Sequence, residues 1–237
     1  MVQEGDAWFD MRLSDGGPVY TETDLSQFIV EPWNAISSLL YMLPALYWLY
    51  RIGGNQKDFK FLVYASVLVI TGSLGSTLYH AFRASSLFLI MDVLPVAILA
   101  LSLSIFFWIK VFNSWKYMLL VVVPLTALRF VLFSTLPDNL AINLSYALTG
   151  IIVMLPIIIL HFQNRIVYLK YMLYMLLAFA LALLFREMDS WHMQLLPMAP
   201  IFCGMHLPVW GLISCWRFCI GIKSRRNIWY RNNIPLA

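Results

Sequence analysis

Three polar residues stand close together in an otherwise apolar part of the chain and could carry out chemistry. Ser76 and His80 are four residues apart, and Asp92 follows in the next apolar run. On a helix, residues four apart share a face and lie about 6 Å apart along the axis. A hydroxyl, an imidazole and a carboxylate buried among apolar residues usually face a bundle interior or a water-filled cavity.

The elements that carry these residues are long apolar runs. The 237-residue chain is 61% hydrophobic and only 12% charged, about half the charged fraction of soluble domains. Runs of about 20 apolar residues without strict alternation predict membrane-spanning helices rather than a barrel. The seven runs are 32–50, 60–82, 87–109, 116–134, 139–161, 170–186 and 196–219. We therefore expect an all-α membrane protein, a seven-transmembrane helix bundle.

Basic residues set the expected orientation. The tail KSRRNIWYRNN is rich in lysine and arginine, which concentrate on the cytoplasmic side of membrane proteins. An odd number of spans then places the N-terminus outside. We expect an acidic N-terminal segment at 1–31, a transmembrane domain at 32–219 and a basic cytoplasmic tail at 220–237. The tail should contact anionic lipid, and nucleic acid is not expected as a partner.

Polar residues from several spans should meet in the outer half of the membrane. The short connection 83–86 makes spans 2 and 3 neighbours, so Asp92 can face Ser76 and His80. His206 in span 7 should lie at a similar level, about 15 Å from the outer end of its helix. Span 1 begins with three further polar residues, Glu31, Asn34 and Ser37.

The spacing of this layer allows three kinds of site. Two imidazoles near a carboxylate suit zinc, which can lower the pKa of bound water towards about 7. A hydrogen-bonded structural cluster would use the same residues without a metal. A proton or ion relay is the third alternative.

Three blocks of the sequence resemble the alkaline ceramidase family, most closely its bacterial branch. The blocks are EPWNAISSLLY, GSLGSTLYHAF with the following MDVLP, and REMD with the following GMHLPVWGLIS. The family belongs to a superfamily of seven-span membrane hydrolases that also includes adiponectin-receptor-like proteins. The likeness covers spans 1 to 3 and 6 to 7, whereas spans 4 and 5 match only in hydrophobicity.

The resemblance implies roles for the residues of the layer. His80 falls on a zinc-ligating histidine, Ser76 on an oxyanion-stabilising serine, and Asp92 on an aspartate that interacts with the zinc-bound water. In span 7 the family has a pair of zinc-ligating histidines four residues apart. Here His206 supplies one of them, and Trp210 or Phe202 replaces the other, depending on the alignment. His192 is the candidate for a third zinc ligand.

The resemblance also implies calcium near the N-terminus. The family glutamate at the start of span 1 falls on Glu31, and Glu22 and Asp24 lie where other acidic ligands would be. Val19 occupies the place of the aspartate that often begins this motif. Further residues are assigned to binding the substrate: Asn34, Ser37 and Trp210.

The function expected from these residues is zinc-dependent hydrolysis of an amide bond in a ceramide-like membrane lipid. Water would be the nucleophile, with Asp92 as general base and then acid. A second hypothesis is a lipid-binding or receptor-like protein that has lost a zinc ligand and its catalysis. A proton-coupled transporter is a third, although the inner half of the bundle holds few polar residues.

Overall fold

The computed structural model describes residues 13–163, apart from 18 and 21, and a few positions between 173 and 184. Over these residues the chain is helical and contains no strand, which confirms the all-α prediction for this part. The helices are α1 (Pro32–Leu40), α2 (Met42–Ile52), α3 (Lys60–Phe82), α4 (Ser86–Phe112), α5 (Trp115–Thr135) and α6 (Asp138–Gln163). A short 3-10 segment, Gly53–Phe59, joins α2 to α3.

Three helical stretches are long and apolar enough to cross a membrane. They are Pro32–Phe82, which contains α1 to α3, together with Ser86–Phe112 and Trp115–Leu132. In the most apolar window of the second, 17% of the residues are buried, so lipid, another protein or the part of this chain outside the described residues must cover the remainder. These helices suggest a membrane protein, as the sequence predicted, whereas the number of spans and the orientation stay predictions.

The first apolar run is divided into two helices at Tyr41 rather than forming one continuous span. Pro44 explains the break, because its ring clashes with the carbonyl four residues earlier, and α1 ends at that residue, Leu40. Pro32 begins α1, a position where the missing N–H leaves no helical bond unmade. Tyr41, at the break, lies near Asp92 of α4.

The start of α1 lies against the end of α3. The backbone N–H of Val30 donates to the carbonyl of Ala81 at 2.9 Å, and that of Glu31 donates to the carbonyl of His80 at 3.1 Å. The first and third helices therefore run antiparallel, and the N-terminal segment is attached to the same end of the bundle as His80.

Close packing between α3 and α4 brings Ser76 towards Asp92. A Cβ added at Gly75 would lie 2.2 Å from the carbonyl oxygen of Met91, so only glycine allows this approach. At Gly72, one turn away, the nearest atom to an added Cβ is the Pro95 Cβ at 3.4 Å.

The largest apolar cluster contains residues of α2, α3, α4 and α6, including Trp48, Leu62, Leu103, Phe107 and Ile157.

Candidate functional site

The structure brings three of the predicted site residues into one group. Ser76 and His80 lie on the buried face of α3. Asp92 lies on α4, within hydrogen-bonding reach of the Ser76 hydroxyl and close enough to interact electrostatically with His80. Ser76 is also within 2.9 Å of Ser38, so that the two hydroxyls form a hydrogen bond between α1 and α3. The group is therefore built by three helices: α1, α3 and α4.

His80 is held by a buried carboxylate. Its Nδ1 lies 2.5 Å from Oε2 of Glu31, and the exposed fractions of the two side chains are 1% and 0%. Because a carboxylate accepts hydrogen bonds, this contact assigns the proton to Nδ1 and leaves Nε2 as the ring nitrogen that could bind a metal. A metal-ligating histidine almost always donates its other ring N–H to such an acceptor. The same contact would also serve a structural hydrogen-bonded cluster.

Arg83 links the hydrogen-bonded pair of His80 and Glu31 to the N-terminal segment. Its Nη1 lies 2.5 Å from Oε1 of Glu31. Its Nε and Nη2 donate to the two carboxylate oxygens of Asp15 at 2.6 and 3.1 Å, which is bidentate geometry. The guanidinium carbon lies 4.6 Å from the ring centre of Tyr79 and 5.9 Å from that of Tyr20. Two carboxylates and two aromatic rings thus surround one buried cation.

The charges at this end of the bundle influence one another. Burial raises the pKa of Asp15, but the hydrogen bonds and charge of Arg83 outweigh this and hold the pKa below its usual range. Burial likewise disfavours charged Arg83, and its carboxylate partners, Asp15 first among them, still raise the pKa of its guanidinium. Both side chains are therefore ionised at neutral pH.

The other predicted calcium ligands are bonded to different groups. The two oxygens of Glu22 accept hydrogen bonds from the backbone N–H groups of Trp33 and Asn34, at 2.9 and 2.7 Å, which caps the start of α1. Burial raises the pKa of Glu22 above its ordinary value. The exposed carboxylate of Asp24 instead accepts hydrogen bonds from Ser26.

Two residues assigned to substrate binding, Asn34 and Ser37, are buried near the start of α1. The Ser37 hydroxyl donates to the backbone carbonyl of Asn34 at 3.0 Å. Within the described part of the chain, Nδ2 of Asn34 has no hydrogen-bond partner. Buried side-chain donors are usually hydrogen-bonded, so this amide is an exception among the described residues.

The remaining site predictions fall outside the described residues. These are the zinc ligands His206 and His192, together with Trp210 and Phe202 of the last apolar run. Across residues 13–163 and the few described later positions, no group of three histidine, cysteine or acidic side chains is arranged to hold a metal. Zinc and calcium both stay predictions.

Three residues of the group were not identified from the sequence: Asp15, Ser38 and Arg83. Arg83 begins the connection after span 2, follows His80 by three residues and caps the end of α3 with a left-handed backbone at φ 45°. Asp15 stands in an Asp-Gly-Gly turn, and a Cβ at Gly17 would overlap the Tyr79 hydroxyl. Ser38 is adjacent to Ser37 in the Ser-Ser pair of the first block, and its contact with Ser76 depends on how α1 is rotated.

Comparisons with known proteins found no match, since no family model and no curated protein matches the chain.

Proposed function

We propose that this chain is a membrane-embedded, zinc-dependent hydrolase of lipid amide bonds, similar in its reaction to the alkaline ceramidases. The substrate would be a ceramide-like lipid, and the products a sphingoid base and a fatty acid. The proposal includes the finer architecture expected from the sequence: seven spans with the N-terminus outside and the C-terminus in the cytoplasm. One observation carries it, the buried contact between Glu31 and Nδ1 of His80 beside Ser76 and Asp92.

The contact supports zinc because it fixes the histidine in the form that a metal needs. Glu31 holds the ring orientation and the proton on Nδ1, so that Nε2 carries the lone pair. His80 and His206 would hold the ion, with His192 as the candidate for a third ligand. When bound, zinc supplies a Lewis acid that lowers the pKa of water and polarises a carbonyl.

The residues of this chain would perform the remaining steps. Asp92 would accept a proton from the attacking water while the water oxygen forms a bond to the amide carbon. Ser76, oriented by Ser38, would donate a hydrogen bond to the oxygen that gains negative charge. Asp92 would then return the proton to the nitrogen as the carbon–nitrogen bond breaks, releasing the amine and the fatty acid.

The apolar outer surface of the helices that carry the group suits a lipid substrate. The surrounding helices expose many large apolar side chains, and the acyl chains of a lipid could lie against them. A ceramide amide lies just below the headgroups, and the group stands at the end of α3 where the apolar stretch stops. Depth and chemistry thus point to a substrate taken from the membrane.

The test is zinc content measured together with release of fatty acid from a panel of labelled ceramides. We expect about one zinc per chain, in line with a single catalytic site. His80→Ala should lose both zinc and activity. His161→Ala, which changes a histidine near the end of α6, should retain both.

Two outcomes would overturn the hydrolase. One is purified chain that binds lipid without zinc and releases no fatty acid, which would favour the receptor-like alternative. The replaced span-7 histidine gives that alternative its weight. The other is zinc binding that His80→Ala leaves intact.

A further inference from the structure

The guanidinium of Arg83 occupies the centre of an acidic group to which the N-terminal segment contributes. We propose that Arg83 is a built-in cation that docks this segment onto the end of α3, so that docking needs no calcium. The segment meant here is residues 13–31, of which 18 and 21 are not described. The inference concerns how the segment is held and does not depend on hydrolase activity.

The first support is the placement of opposite charges. Asp15 belongs to the segment, Glu31 ends it, and both carboxylates contact the one guanidinium. The side chains of Arg83, Asp15 and Glu31 are at most 1% exposed. Two buried carboxylates so near each other require a cation, and the Arg83 guanidinium supplies it.

The second support is how the carboxylate oxygens are used. Oε1 of Glu31 accepts from Arg83 and from the Thr23 hydroxyl, and Oε2 contacts His80. Both oxygens of Asp15 accept from Arg83, and Oδ1 also accepts from the backbone of Gly17. Calcium takes six to eight oxygen ligands, and these lone pairs already face N–H and O–H donors.

The third support is the chemistry of a second cation at this place. A calcium ion bound to Glu31 would stand near the positive charge of Arg83 at low dielectric, where like charges repel strongly. The residues therefore do not fit the calcium site that the resemblance implies. They fit a site in which a guanidinium has the role of the metal.

The docked segment is also connected through its backbone. The N–H of Val30 donates to the carbonyl of Ala81, and the N–H of Asp24 donates to the carbonyl of Val30 at 3.1 Å. Gly17 packs against the Tyr79 ring so closely that a side chain there would overlap the hydroxyl. Arg83 thus anchors a segment that has several further contacts with the helix end beneath it.

The first experiment uses the full chain without substitution. Free zinc is held constant while free calcium is varied from nanomolar to millimolar, the span of calcium affinities in proteins. We expect the melting temperature, and the hydrogen exchange of residues 13–31, to be unchanged. A melting temperature that rises by several degrees with calcium would overturn the proposal.

The second experiment removes the charge and keeps the length of the side chain, with Arg83→Met. Hydrogen exchange in residues 13–31 should become at least about tenfold faster, because local opening sets exchange. The melting temperature should fall by about 5 °C or more, as expected for loss of a buried ion pair. Lys57→Met, at an exposed lysine of the 3-10 segment, should change neither quantity. Unchanged exchange in Arg83→Met would also overturn the proposal.

A double variant covers the case in which Arg83→Met folds poorly. Asp15→Asn removes one of the carboxylates that the missing cation leaves unpaired. The double variant should therefore melt higher than Arg83→Met alone, since the pair is coupled. A double variant that melts no higher would contradict the coupling between Asp15 and Arg83.

Discussion

Substitution of Glu31 tests whether this residue positions His80 for zinc or only stabilises the fold. Glu31→Gln keeps the size of the side chain but replaces the acceptor at Nδ1 of His80 with a neutral amide. We expect zinc affinity to fall by about 10- to 100-fold, the usual effect of losing such a partner. Competition titration of the purified protein with a zinc indicator measures this affinity. Asp24→Asn makes the same change at an exposed carboxylate of the same segment and should leave affinity unchanged.

The melting temperature distinguishes the two roles of Glu31. The variant should also be less stable, because Arg83 loses one of its two carboxylates. If stability falls while zinc affinity stays at the level of the unsubstituted chain, Glu31 is structural and does not position His80.

Ser38 should affect the reaction through Ser76. Ser38→Ala removes the hydroxyl 2.9 Å from that of Ser76, and a buried hydrogen bond is worth about 1 kcal/mol. We therefore expect kcat for fatty-acid release to fall by about 5- to 10-fold, with KM little changed. Ser66→Ala is the matched control: Ser66, on α3, is buried like Ser38, but its hydroxyl has no partner among the described residues. Equal rates for the two variants would exclude the proposed role of Ser38.

At the scale of elements, the contact between α3 and α4 determines whether Asp92 reaches the group. Gly75→Ala would place a methyl group against the backbone of Met91 and force the helices apart. We expect a loss of about 1–3 kcal/mol in stability and a marked loss of activity. Gly72→Ala meets Pro95 at near-normal contact distance and should alter stability by about 0.5 kcal/mol or less. Thermal unfolding in detergent compares them, and equal melting temperatures would contradict the close approach at Gly75.

The helices themselves were largely predictable, because their cause is local. The apolar run 60–82 has the same bounds as α3, and the one-turn spacing of Ser76 and His80 fixes their shared face. The nearness of Asp92 followed from the short connection 83–86 between the two apolar runs. The division at Tyr41 was missed, although Pro44 stands four residues after the end of α1 and signals it.

The ionic contacts could not be predicted from the sequence, because their cause is not local. Asp15 and Arg83 are 68 positions apart, and nothing in either neighbourhood selects the other as its partner. Glu31 was identified as functional but assigned to calcium, since a carboxylate at a helix start suits either a metal or an internal base. The geometry of α1 against α3 was needed to find His80 beside it.

At the scale of the whole molecule, the expected orientation can be tested at the two ends of the helical hairpin formed by α1 to α3. Asp24 and Lys57 are both exposed and stand at opposite ends of it. Single cysteines, Asp24→Cys or Lys57→Cys, would be introduced after the three native cysteines are replaced by alanine. An impermeant maleimide applied to intact cells should label position 24 and not position 57. The reverse pattern would contradict the orientation, and labelling of both would contradict a hairpin that crosses the membrane.

The anchoring of Asp15 by Arg83 bears on how the protein can be produced in the laboratory. A recombinant version trimmed to begin at Glu22 would retain Arg83 and Glu31 but lack Asp15, the bidentate partner of the arginine. Arg83 would then have Glu31 as its one remaining carboxylate partner among the described residues. Both oxygens of Glu31 could turn towards the guanidinium, and His80 would lose the acceptor at its Nδ1. Purification tags are therefore better fused to the far end of the chain, and trimming should stop short of residue 13.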